Sequence, residues 1–183
     1  MTGCMQWIKH LVLVWLLAVP ALSSGQSRDP AAYFFHDTFG DFHEELAQAR
    51  EDGKRGILIF FEQDDCPFCY RMLTTVLNQP EVQDFYRAHF NIFRVDTGGD
   101  LEISDFGGHK TTQKDFAFRQ YQVRATPVFA FFDLDGKLVA RHTGPTADVQ
   151  EFLWLGEYVA GEHYQTDNFT HYKRERRAQA ADG

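Results

Sequence analysis

Two cysteines three residues apart, Cys66 and Cys69, directly follow a short apolar run, and this arrangement constrains the fold more than any other feature. The run, GILIFF at 56–61, has no polar side chain, which is typical of a β-strand covered on both faces. After Cys66, apolar residues recur at the spacing of one helix face. Pro67 suits the first helical turn because its missing N–H would have no partner there. The sequence therefore predicts a buried strand followed by a helix whose first turn contains both thiols.

The rest of the chain alternates between strand and helix patterns. Further strands are predicted at 91–97, 127–133 and 137–144, and further helices at 37–51, 81–90, 111–123 and 147–161. We assign Phe39 to the apolar stripe of the first of these helices, and Thr112 begins a capping box in the third. The turn-rich segment 98–110 is predicted to be an inserted hairpin. This order indicates an α/β fold with a central mixed β-sheet flanked by helices on both faces.

The two ends of the chain are expected to lie outside the folded domain, which spans 26–162. Residues 1–25 carry one lysine before the apolar run LVLVWLLAVPAL and small residues after it, which predicts a secretory signal peptide cleaved near 23–25. The run is short for a bilayer core of roughly 30 Å, and an uncleaved anchor is the alternative. Segment 163–183 is polar and contains KRERR. We expect a flexible tail whose basic stretch is solvated or docks an acidic partner.

Cysteine usage and charge narrow the function. Cleavage would remove Cys4 and leave only Cys66 and Cys69, in a protein exported to an oxidising compartment. A disulfide-stapled scaffold would carry four or more cysteines. A zinc site would need two further ligands; His109 and His142 are the candidates, but no second CxxC accompanies them. The formal net charge of −8 argues against nucleic-acid binding, which needs a basic face.

The predicted place of Cys66, at the start of a helix, favours its thiolate because unpaired N–H groups and the positive end of the helix dipole lie there. The thiolate is the form that attacks disulfides. Cys69, one turn further on the buried stripe, would be shielded and would attack a mixed disulfide held at Cys66. Asp64 and Asp65 oppose the helix end, since negative charges beside a thiol raise its pKa.

CPFC after a strand, ATPVF at 125–129 and a hairpin with Gly136 before a last helix together resemble the thioredoxin superfamily over about residues 34–162. The segments FFEQDDCPFC and ISDFGGHKTTQKDFAFRQYQV are most similar to exported, periplasmic thioredoxin-like proteins of the SoxW type. The resemblance implies a thioredoxin fold in which the two cysteines of CPFC are catalytic.

Four further site residues follow from the resemblance. It implies that Pro127 is cis and faces the cysteines across the sheet. A cis bond there presents the backbone of Thr126, which would hydrogen-bond an extended substrate chain. The residues between the cysteines, Pro67 and Phe68, tune the reduction potential in this family. Phe68 lacks the charge of the histidine found in strongly oxidising members, which favours a reductant. Phe129 is expected in the core rather than at the substrate rim.

The chain departs from the family pattern beside the first cysteine. Ordinary thioredoxins have tryptophan immediately before it and a buried aspartate six residues before it, where this chain has Asp65 and Phe60. Glu62 is the nearest carboxylate at the strand end. We assign Glu62 as the proton acceptor for Cys69, with a solvated loop acid as the alternative.

We therefore expect an exported, periplasmic thiol–disulfide oxidoreductase that exchanges disulfides with partner proteins, mainly in the reducing direction. The resemblance implies a monomer that needs neither an organic cofactor nor a metal and that is recharged by a membrane thiol relay. A non-catalytic adaptor or chaperone with the same fold is one alternative. A metal carrier that uses the CxxC is the other.

Overall fold

The structure is a computed structural model that describes residues 26–181. The predicted signal peptide, with Cys4, therefore lies outside the described residues. Six strands are present: β1 Gly56–Glu62, β2 Phe90–Asp96, β3 Glu102–Ser104, β4 Lys110–Thr112, β5 Val128–Phe132 and β6 Leu138–Thr143. The α-helices are α1 Pro30–Tyr33, α2 Phe42–Glu51, α3 Pro67–Thr75, α4 Pro80–His89, α5 Gln113–Asp115, α6 Val149–Ala160 and α7 Phe169–Ala181. A π-helical turn, Phe116–Gln120, follows α5, and a 3-10 turn, His163–Gln165, follows α6.

Four strands form the central sheet in the order β2-β1-β5-β6. β1 and β2 are parallel, with Ile57 opposite Asn91, whereas β5 runs antiparallel to β1, with Phe60 opposite Phe129. β6 is antiparallel to β5. The predicted mixed sheet is confirmed, and its two central strands run in opposite directions. As a result, the C-terminal end of β1 and the N-terminal end of β5 lie at the same end of the sheet.

Both faces of β1 are buried, as its uninterrupted apolar run predicted. Leu58 and Phe60 lie in one apolar layer, together with residues of α3, α4 and α6. Ile57, Ile59 and Phe61 lie in a second layer, together with residues of α2 and of the segment that follows the hairpin. The alternation follows from the two-residue period of a strand. Phe129 is fully buried, so the expectation that it belongs to the core is correct.

Segment 98–110 forms the inserted hairpin that the sequence predicted. β3 and β4 pair antiparallel, with Ile103 opposite Thr111. Ile103 is buried in the second apolar layer, and the ring of Phe106 lies 4.6 Å from that of Phe132 on the central sheet. The hairpin therefore covers one face of the sheet rather than projecting into solvent.

The first predicted helix begins later than the sequence pattern suggested. α2 starts at Phe42, and Phe39, which we had assigned to its apolar stripe, is fully exposed. Gly40 has a φ of +83°, a left-handed conformation that interrupts a helix. The carboxylate of Asp41 then accepts hydrogen bonds from the N–H groups of His43 and Glu44, both at 3.1 Å, and caps the helix.

An N-terminal segment covers part of the free edge of β2. The backbone N–H of His36 donates to the carbonyl of Ile92 at 2.8 Å, and the N–H of Ile92 donates to Nδ1 of His36 at 2.9 Å. The imidazole must be unprotonated at Nδ1 to accept this bond. Burial and the nearby charge of Arg87 lower the pKa of His36 from 6.5 to about 4. The half-buried ring therefore replaces a backbone acceptor at the sheet edge.

The C-terminal segment, which we expected to be a flexible tail, instead forms α7 and packs on α6. The rings of Phe169 and Tyr172 each lie 5.5 Å from that of Tyr158, whose hydroxyl donates to the carbonyl of Asp167 at 2.8 Å. These contacts explain the difference, because polar composition concealed two aromatic residues that dock on α6.

The basic stretch KRERR is also engaged rather than solvated. Glu151 of α6 has a side chain only 6% exposed, and it accepts hydrogen bonds from Lys173 and Arg177, each at 2.8 Å. Arg176 pairs with Glu157 at 2.8 Å. A buried carboxylate needs such partners to offset its desolvation. The acidic partner of the basic stretch is thus within the same chain.

Candidate active site

The two cysteines lie at the start of α3, as predicted, and are joined by a disulfide. Their sulfur atoms are 2.19 Å apart and their Cα atoms 5.2 Å apart. Cys66 is the N-cap residue of the helix, and Pro67 occupies the first turn. The loop from β1 is short, and the N–H of Cys66 donates to the carbonyl of Gln63 at 3.1 Å. Its position between β1 and the first turn of α3 fixes Cys66 at the end of the sheet where β1 stops.

The two sulfurs differ in environment. Cys66 is 9% exposed and Cys69 is 2% exposed, and both belong to the apolar layer beneath α3. The N–H of Cys69 donates to Sγ of Cys66 at 3.1 Å. In the reduced protein the same N–H and the helix dipole would stabilise a thiolate at Cys66. Cys69 is the more deeply buried of the two bonded residues.

The residues around Cys66 are mostly exposed. Phe68, between the cysteines, is 55% exposed. Asp64 and Asp65 are exposed as well, and neither takes part in a salt bridge within the described part of the chain. The surface beside Cys66 therefore carries one aromatic side chain and two carboxylates.

Thr126 and Pro127 lie at the same end of the sheet as the cysteine loop, because β5 begins beside the residue where β1 ends. The Thr126–Pro127 peptide bond is cis, as the resemblance implied. The carbonyl of Pro127 accepts from the N–H of Gly144 at 2.8 Å, which ties it to the end of β6. Thr126 lies just outside β5 and has no backbone–backbone hydrogen bond within residues 26–181. Its backbone groups are therefore free to bind an extended chain.

Glu62 has a partner that the sequence did not reveal. Arg94 on β2 donates from Nε to Oε1 of Glu62 at 2.6 Å and lies 5.2 Å from the ring centre of Phe35. Burial raises the pKa of Glu62, while the charge of Arg94 opposes this and the charges of Asp96 and Asp64 add to it.

Glu62 is not a solvated loop acid. Its side chain is 14% exposed. It shares a strand face with Phe60, two residues before it, and Phe60 lies in the same apolar layer as both cysteines. The carboxylate of Glu62 is therefore on the cysteine side of the sheet.

Arg71 joins α3 to the loop after β6, a contact that no sequence motif signals. Its guanidinium donates to the carbonyls of Thr146 and Ala147, at 3.2 and 3.1 Å. The hydroxyl of Thr146 lies 3.8 Å from the sulfur of Met72. These contacts fix α3 against the loop after β6, and Gly144 in the same loop bonds Pro127.

The candidate metal ligands from the sequence do not join the cysteines. His109 contacts Asp105 at 3.2 Å on the inserted hairpin, and the ring of His142 lies 5.9 Å from that of Phe169. One group of potential ligands occurs within residues 26–181, and it consists of Asp167, His171 and Glu175 on or next to α7. It contains neither cysteine.

Comparison with known proteins places this geometry in a family. The sequence matches the thioredoxin-like domain family over residues 42–160. Disulfide bond reductase DsbH from Chlamydia pneumoniae is 28% identical over 101 residues, which cover 55% of this chain and 58% of that protein. The match thus spans less than two thirds of that relative.

Solved structures show the same fold. A thioredoxin from Thermus thermophilus has a TM-score of 0.51 and 28% identity, and the match covers 63% of this chain and 81% of that one. A thioredoxin-fold protein from Helicobacter pylori has a TM-score of 0.55 and 22% identity, with 69% of this chain and 82% of that one covered. No helix within residues 26–181 has the length and apolar character needed to cross a bilayer.

Proposed function

The chain belongs to the thioredoxin-like family, and we propose that it is an exported thiol–disulfide oxidoreductase that reduces disulfides in partner proteins through Cys66 and Cys69. The observation that carries this proposal is the position of Cys66. It caps a helix that follows a buried strand, its sulfur accepts the N–H of Cys69, and it is the more exposed of the two bonded cysteines. The unpaired N–H groups and the positive dipole end at the start of this helix favour the thiolate at Cys66 and make it the attacking group.

Reduction of a partner proceeds in two exchanges. The thiolate of Cys66 attacks one sulfur of the partner disulfide, a new S–S bond forms, and the other partner sulfur leaves as a thiolate that takes up a proton. The thiol of Cys69 then loses its proton and attacks the Cys66 sulfur, which releases the second partner sulfur. Two electrons pass to the partner, and the protein is left with the Cys66–Cys69 bond that the structure contains.

Glu62 is the proton acceptor for Cys69 in the second exchange. Its carboxylate lies on the cysteine side of the sheet, and burial raises its pKa, which strengthens it as a base. The ion pair with Arg94 orients the carboxylate and limits that rise. A direct proton transfer or one bridging water would serve the same end.

The substrate chain binds beside the cysteines, at the end of the sheet where β1 stops and β5 starts. The free backbone groups of Thr126 hydrogen-bond it in extended form, and Pro127 packs behind. Pro67 restrains the first turn of α3, and the uncharged ring of Phe68 leaves the couple without the cation that favours oxidising members of the family.

The cellular setting follows from the same proposal. Residues 1–25 act as a signal peptide, and the folded protein works in the periplasm as a monomer. In that oxidising compartment the reduced form must be restored, so a membrane thiol relay supplies electrons from the cytosol. No metal or organic cofactor takes part.

The test is the equilibrium of the couple with glutathione, together with the rate of insulin reduction. A reductant should give a potential of about −270 mV, whereas an oxidant would lie near about −120 mV. Insulin reduction should disappear when Cys66→Ser is introduced into the mature protein, which holds no cysteine besides Cys66 and Cys69 once residues 1–25 are removed. Full function in cells with Cys66→Ser would contradict the proposal and favour a non-catalytic adaptor.

A further inference from the structure

The surface beside Cys66 combines unpaired carboxylates with an exposed aromatic ring, and we propose that it selects cationic substrates: polypeptides with Lys or Arg next to the cysteine that Cys66 attacks. This inference rests on the proposed oxidoreductase function and adds the substrate class. A side chain that carries a positive charge on an apolar stem fits both a carboxylate and an aromatic face.

The negative charge at this surface is in place before any substrate binds. Asp64 and Asp65 immediately precede Cys66, are exposed, and make no salt bridge within residues 26–181. Asp96 ends β2 directly opposite Glu62 in the strand register. Its Oδ1 accepts the N–H of Gly98 at 2.9 Å, and its carboxylate keeps its negative charge. The carboxylates therefore belong to two neighbouring strand ends, at the end of the sheet that carries the cysteines.

One of the nearby cations is already paired with a carboxylate. Arg94 is paired with Glu62, and Arg71 donates to two backbone carbonyls of the loop after β6. Arg124, two residues before Thr126, is exposed and makes no salt bridge in the part of the chain that the structure describes. Arg71, whose carbonyl partners are neutral, and Arg124 both oppose the carboxylates, and removal of Arg124 should strengthen the preference for a cationic substrate.

Phe68 supplies the second, independent indication of the ligand. Phe68 is 55% exposed and lies between the two cysteines in the sequence, next to the sulfur that a substrate must reach. An aromatic face attracts an Arg or Lys head group and also packs on its methylene stem. The carboxylates alone would attract any cation, whereas the ring favours one attached to an apolar stem.

The experiment uses three synthetic peptides that differ only in the residues flanking one cysteine, which is Lys, Ser or Glu on both sides. Each cysteine is capped as a disulfide with mercaptoethanol, a neutral leaving group. The reduced protein should react with the Lys peptide about tenfold faster than with the Glu peptide at low ionic strength. This preference should shrink to about twofold at 1 M salt, where charges are screened within about 3 Å.

Variants separate specificity from reactivity. Asp64→Asn with Asp65→Asn also removes negative charge beside Cys66, which alters all three rates together, so the Lys-to-Glu ratio is the informative quantity. This ratio should fall at least fivefold in the double variant and rise in Arg124→Gln. Phe68→Leu should slow the Lys peptide more than the Ser peptide. The matched control is Glu51→Gln with Asp135→Asn, which removes two exposed carboxylates at the opposite end of the sheet and should leave the ratio unchanged.

The outcomes distinguish the two levels of the account. A wild-type ratio near one, or a ratio that the Asp64 and Asp65 changes leave unmoved, would overturn the substrate class while Cys66-dependent reaction with the Ser peptide continued. Loss of reaction with all three peptides, or reaction that survives Cys66→Ser, would instead overturn the proposed function itself.

Discussion

Acidification should weaken the edge of the sheet where the imidazole of His36 accepts the N–H of Ile92. The folded protein keeps this imidazole neutral because burial and Arg87 lower its pKa to about 4, whereas an unfolded histidine titrates at 6.5. Between these values the unfolded chain binds a proton that the folded chain excludes. The stabilising contribution is therefore fully present above pH 6.5 and is lost as the pH falls toward 4.

The size of this effect follows from the two pKa values. A difference from 6.5 to about 4 corresponds to about 3.4 kcal/mol if the whole of it acts on folding. Because the ring is only half-buried and solvent screens its charge, we expect about half of that, roughly 1.5 kcal/mol. This is a measurable fraction of the 5–15 kcal/mol typical of a folded domain.

Urea unfolding at pH 7.5 and pH 4.5, followed by tryptophan fluorescence, measures the loss. Carboxylates also titrate in this range, so wild type is compared with His36→Asn, whose amide oxygen accepts the same N–H without titrating. Wild type should lose about 1.5 kcal/mol more than the variant between the two pH values. The control His43→Asn replaces an exposed histidine and should behave as wild type. Equal losses in wild type and His36→Asn would refute the reasoning.

Two further predictions test the site and the C-terminal helix. Glu62→Gln should slow the second exchange at pH 7 by about tenfold or more, because Cys69 loses its proton acceptor, and it should leave formation of the mixed disulfide unchanged. Single-turnover quenching resolves the two steps, and an equal rate of the second step in wild type and variant would exclude this role of Glu62. Changing both Lys173 and Arg177 to Gln should lower the free energy of unfolding by about 2–3 kcal/mol, because Glu151 remains buried without a charged partner. An unchanged urea midpoint would mean that these contacts between α7 and α6 do not stabilise the fold.

Features governed by neighbouring residues were predictable from the sequence. The cap at Cys66 and the first-turn Pro67 depend on a few adjacent positions, and the structure has both. Thr112 likewise caps α5, and its hydroxyl accepts the N–H of Asp115 at 3.1 Å. The fully apolar run of β1 correctly indicated a strand covered on both faces. The roles of these residues in catalysis stay predictions until the exchange reaction is measured.

Features governed by long-range contacts were not predictable in the same way. Arg94 meets Glu62 only because of the parallel register of β1 and β2, which sequence spacing does not specify. Similarly, the charges of KRERR look like a solvated stretch until Glu151 and Glu157 of α6 are known to lie opposite. Phe39 fitted a helical stripe by spacing, but the backbone conformation of the next residue, Gly40, ends that pattern.

Cys66 is expected to be the residue that attacks the partner disulfide, and one trapping measurement tests this directly. Reduced Cys69→Ala is mixed with one equivalent of a peptide disulfide, quenched with acid and mapped by mass spectrometry, in parallel with reduced Cys66→Ala. We expect the peptide to be attached at Cys66 in the first variant within the reaction time and to be absent from Cys69 in the second. Capture at Cys69 at an equal or higher rate would contradict the account.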